Sequence, residues 1–137
     1  MLGPEEINYF TNRRTTAANQ AGRGLSRNTF NRGQAELRAG MARSNLARQY
    51  RPARERIQQN AAIRGLSSSG FYRRGLGELL SDRMRGLQDI EMGLQGQLGN
   101  LRFEQEDIEQ GLADTRAQVD AEELMRRVLA AQIRGAQ

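Results

Sequence analysis

The sequence predicts an all-α protein: elongated helices joined by Arg-Gly-Leu-Ser corners, a long C-terminal coiled-coil-like helix, and no compact globular core. Three observations predict this. No alternating β-branched run exists, and Val occurs only at 119 and 128. Apolar residues recur in sevens through the C-terminal half. Leu, Ile, Val and Phe together number 27 of 137 residues, close to compositions that bury too little surface to fold alone.

The first helix is expected from Pro4, whose fixed φ suits a first turn, with Glu5 and Glu6 at the positive end of the helix dipole. It is expected to run to about Gln20. There a repeat enters. Asn19–Ser26 recurs 41 residues later as Asn60–Ser67, and Phe30 and Arg32 match Phe71 and Arg73 at the same offset. Each copy reads as a helix corner, at 19–37 and 60–79. Gly24 or Gly65 would take the left-handed position after a helix, and Leu25 or Leu66 would fold back on its last turn. Ser26 or Ser67-Ser68-Ser69 would cap the next helix, with Phe30 or Phe71 in its first turn. A second helix then carries Leu37, Met41 and Leu46, and Pro52 is expected to kink or restart it.

The third element is the clearest. Leu80, Leu87, Leu94, Leu101, Ile108 and Thr115 are seven apart, and Met84, Glu91, Leu98, Gln105, Leu112 and Val119 interleave four residues later. Near Ala121 the register shifts, and Leu124, Val128, Leu129 and Ile133 continue on a displaced face. A long helix over about 71–134 is expected, with Gly111 as the place where it could break and return. Gly75, Gly77, Gly86, Gly93, Gly96, Gly99 and Gly111 fall inside it, each costing about 1 kcal/mol relative to Ala. Either a neighbouring helix approaches closely or an assembly props up tolerated glycines. Both readings require partners.

Two regions follow: a basic one over 1–70 and an acidic one over 71–137. Residues 1–75 hold 14 Arg against 4 acids, a net of +10; residues 76–137 hold 7 Arg against 12 acids, a net of −5. Such a split suits nucleic acid, an acidic protein surface, or head-to-tail pairing of copies. All basic residues are Arg, which suits bidentate grips on phosphate and carboxylate, as does a GC-rich coding sequence. The candidate nucleic-acid contacts are Arg13, Arg14, Arg23, Arg27, Arg32, Arg38, Arg43 and Arg48. They make no single stripe, and the aromatics beside them are too sparse for a stacking platform.

Composition narrows the chemistry. The chain has no Cys, His or Lys, so no zinc site of the usual kind, no His-activated nucleophile, no Walker A lysine and no disulfide is expected. Glu104, Glu106, Asp107 and Glu109 lack the spacing of a calcium loop and read as a solvated or Arg-facing surface. No cofactor, metal, catalytic residue or small-molecule ligand is expected. The longest apolar run, Val128–Ala131, is far short of a membrane span, and Met1–Glu6 lacks a basic leader. The expectation is a non-enzymatic, soluble protein.

The stretch Ile63–Phe71, followed by a long Gln/Glu/Arg-rich helix with sparse Leu, resembles small virion structural proteins of tailed bacteriophages. The resemblance covers roughly residues 55–135. It implies synthesis in the host cytoplasm and a place in the virion. There the chain would pack in many copies against itself and larger ring proteins at the neck, tail or portal, or be carried inside the head for ejection. A coiled coil that scaffolds assembly and then leaves the particle is a third, different reading. Leu25, Phe30, Leu66 and Phe71 are expected to anchor that packing. The lateral contact is expected from Leu80, Met84, Leu87, Leu94, Leu98, Leu101, Ile108, Leu112 and Val119.

Overall fold

The computed structural model describes residues 1–65 and 70–136. Two helices account for nearly all of them: α1, Pro4–Ile63, and α2, Gly70–Gly135. No strand occurs among the described residues. The all-α class and the long C-terminal helix therefore stand. Gly111 does not interrupt α2.

Both ends of α1 follow the expected local chemistry. Pro4 opens it, and the Ile7 amide donates to the Gly3 carbonyl at 3.1 Å. At the far end Gly65 adopts φ +68°, the left-handed conformation that lets a glycine end a helix, and its amide donates to Ala62 at 3.2 Å. Leu66 and the serines 67–69 lie outside the described residues.

The first expected corner is corrected. Gly24 and Leu25 sit in the middle of α1, and the Thr29 hydroxyl donates back to the Leu25 carbonyl at 3.0 Å, as in a helix interior. The segment runs on as helix with Gly24 facing α2: a Cβ on it would lie 3.0 Å from Ile108 Cδ1. Gly24 thus serves as a point of close packing between the helices and not as a left-handed stop. Pro52 likewise lies within α1 rather than restarting it, on its exposed side.

The helices pack against each other within two compact units, each taking part of both helices. The first unit comprises Met1–Asn31 and Asn100–Gln137. Its core is Leu2, Phe10 and Val119, with Val119 fully buried. Burying a Phe or Val contributes about 1.5–3 kcal/mol each. Pairing runs antiparallel: Glu6 meets Arg126 at 3.4 Å, Arg14 meets Asp120 at 2.7 Å, and Asn28 meets Leu101.

The second unit is Arg32–Gly99. Here the buried residues are Ala35, Ala39 and Ala61. Leu46 packs onto Gly86 and Ile57 onto Gly75. Arg43 pairs with Glu91 at 2.8 Å, and the Arg83 guanidinium lies 4.5 Å from the Tyr50 ring centre.

Candidate interface

α1 presents small residues where a coiled coil usually presents large ones. Ala21, Asn28, Ala35 and Ala42 are seven apart and buried or half-buried; so are Ala39, Leu46 and Ala53. α2 answers with large residues. In the first unit its inward positions are Leu101, Gln105, Ile108, Leu112, Thr115 and Val119, alternately four and three apart. An alanine row lets the two backbones come close, so Leu and Ile side chains reach across onto Cα atoms.

These contacts redirect the expected site. Leu94, Leu98, Leu101, Ile108 and Leu112 are half-buried and Val119 is fully buried. That part of the seam, assigned to neighbouring copies, is filled by the chain's own α1. Leu80, Met84 and Leu87 are exposed instead, because the inward row there is Leu76, Leu79, Arg83, Gly86 and Ile90. The register slips by one residue between the two stretches, an interruption of the seven-residue repeat taken up over Ile90, Leu94 and Leu98. Arg83 occupies an inward position because its guanidinium stacks on Tyr50. Of the expected anchors, Leu25 is half-buried. Phe30 and Phe71 are 64% and 72% exposed, and Leu66 is outside the described residues.

The glycines divide along the same line. A Cβ on Gly86 would meet Leu46 Cδ2 at 2.9 Å, and one on Gly75 would touch Ile57 at 3.7 Å. Gly77, Gly93, Gly96, Gly99 and Gly111 have nothing within 4 Å. Close approach explains Gly86; the contact at Gly75 is an ordinary one, and nothing in the packing requires the other five.

The charge split is used within the chain. Arg13 pairs with Glu122, Arg14 with Asp120 and Glu123, and Arg43 with Glu91. The basic helix has found its acidic surface in α2. Arg127 first and then Arg14 hold the Glu123 carboxyl below its ordinary range. Gln95 and then Arg43 do the same for Glu91. The carboxylates in turn raise Arg13 and Arg14. Arg23, Arg27, Arg38 and Arg48 are exposed, and Arg32 is half-buried. The acids at 104, 106, 107 and 109 are exposed; Glu106 pairs with Arg102 at 3.6 Å and Glu109 accepts from Gln105 at 3.1 Å.

One polar residue sits in the seam that periodicity in large side chains could not reveal. Asn28 is 2% exposed and its Nδ2 donates to the Leu101 carbonyl at 2.6 Å. Leu2 and Phe10, also buried, were equally hidden from that pattern. The signal was the row of alanines and Asn28 in sevens. An open groove beside this row is bordered by Tyr9, Arg13, Thr16, Ile108, Leu112 and Thr115. Its one cation, Arg13, is already paired with Glu122.

Outward, the helices stay oily. Eighteen large apolar side chains are exposed among the described residues, including Phe30, Leu37 and Met41 on α1 and Met92, Phe103, Leu124 and Leu129 on α2. Among the described residues no helix is long and apolar enough to cross a membrane. No family model, curated protein or solved structure matches the chain.

Proposed function

We propose that the chain is a non-enzymatic structural subunit of a tailed-bacteriophage virion. In this reading it packs in several copies against itself and larger ring proteins at the neck, tail or portal. The observation that carries the reading is the imbalance between buried and exposed apolar residues. The inward face of α1 is built largely from alanine, while many large side chains stand on the outward faces of both helices. Exposed apolar surface of this kind marks interaction sites. The resemblance of residues 55–135 to small virion proteins supplies the setting. The test is proteomics and immunogold labelling of purified particles. The expected outcome is multiple copies per virion at one end of the head or on the tail; absence from particles overturns it.

A second reading has its own observation. The unit Arg32–Gly99 holds twelve Arg against six acids, a net of +6, whereas the other unit holds nine Arg against ten acids. A chain carried with the genome would use that unit on phosphates. Duplex DNA binding that weakens steeply with salt supports this reading; binding that is absent or insensitive to salt removes it.

A further inference from the structure

After Val119 the apolar residues of α2 leave the face that meets α1. Leu124, Met125, Val128, Leu129 and Ile133 all stand 48–66% exposed. Ala117, Ala121, Leu124, Val128 and Ala131 are spaced four, three, four and three, which places them in one stripe of a helix. All five are outward or exposed, and none is charged. This is a second coiled-coil seam on the same helix, and α1 does not cover it.

Ala117 and Ala131 each lie seven residues from Leu124, while Ala121 lies three before it and Val128 four after it, so in an antiparallel pair Leu124 comes opposite Ala121 and Ala117 opposite Val128. Along one edge run Asp120 and Arg127, also seven apart and of opposite charge. When two such helices lie antiparallel, like edges meet, so Asp120 of each copy faces Arg127 of the other, twice per pair. A parallel pair brings unlike edges together and sets these charges beside Gln118 and Met125. Asp120 already accepts from Arg14, and Arg127 donates to Glu123. Their side chains are nevertheless 65% and 55% exposed.

We propose that the outer face of α2 over residues 117–131 binds a second copy of this chain, antiparallel, with Leu124 of each copy against Ala121 of the other. This rests on the reading that the chain acts in several copies, and it names the surface and direction of contact.

The chain has no cysteine, so single introduced thiols report directly. A disulfide needs Cα atoms within about 7 Å. Under mild oxidation a mixture of full chains carrying Ala121→Cys and Leu124→Cys is expected to run as a covalent dimer, as is a mixture of Ala117→Cys and Val128→Cys. Ala117→Cys alone should stay monomeric. Asp120→Arg in both chains is expected to lose the dimer between Ala121→Cys and Leu124→Cys, and adding Arg127→Asp to restore it, with circular dichroism confirming an intact helix. No dimer between Ala121→Cys and Leu124→Cys overturns the proposal. Cross-linking of Ala117→Cys with itself also overturns it, since that is the parallel arrangement or non-specific contact. Failure to find the chain in virions would remove the proposed function while leaving this dimer in place.

Discussion

Glycine shows how one residue type carries opposite roles in one helix. Gly93 pays the backbone entropy of glycine with nothing touching the place where a Cβ would stand. Gly93→Ala is expected to stabilise the chain by about 1 kcal/mol, read as a higher melting temperature. Gly86→Ala gains the same helix propensity but drives a methyl into Leu46, so its melting temperature should not rise. Equal gains at both positions would contradict the close approach. Phe10 is the large anchor of the first unit, and Phe10→Ala should cost about 3 kcal/mol in denaturant unfolding. Asn28 acts differently. Its side chain is the polar tooth in an alanine row, and its bond to Leu101 is satisfied only in one register. Asn28→Ala should cost about 1 kcal/mol, in the range for one hydrogen bond.

At the scale of the element, α1 is held by α2 more than by its own propensity. Gly24, Gly33, Gly40 and Pro52 all lie inside it. Pro52 removes one backbone donor on an exposed face, so Pro52→Ala should raise the melting temperature. The ion pairs between the helices set an acid limit. Glu123 and Glu91 titrate below the ordinary 4.5 when folded. A carboxylate depressed in the folded state stabilises above its unfolded value, and that contribution is lost as pH falls through the folded value. Stability should therefore hold from neutral pH down to that ordinary value and decline below it. Arg14→Ala removes one of the groups that lower Glu123 and should shrink the acid-dependent part; an unchanged acid limb would show that the pair contributes nothing.

For the whole molecule, the decisive feature is that α2 has two apolar faces and the chain supplies one partner helix. The inward face takes α1. The outward face at 124–133 remains open to solvent, along with Leu37 and Met41 on α1. Sedimentation of the full chain is expected to show concentration-dependent association. Leu124→Glu should abolish the part that runs through α2 without loss of helix content. A chain that stays monomeric at hundreds of micromolar would speak against any assembly built on these faces.

The sequence alone determined the helical class, the start of α1 at Pro4, the turn at Gly65, and the seam from Leu94 to Val119. These features are local or carried by large side chains, and a period of seven in leucine is visible without a partner. Only tertiary structure decided what the two Arg-Gly-Leu-Ser segments become. Gly65 takes φ +68° and the chain turns; at Gly24 the helix continues and Ile108 of α2 packs onto it. The same holds for the seam of α1. An alanine row has little hydrophobic signal of its own, and it becomes a core only when another helix lays leucines across it.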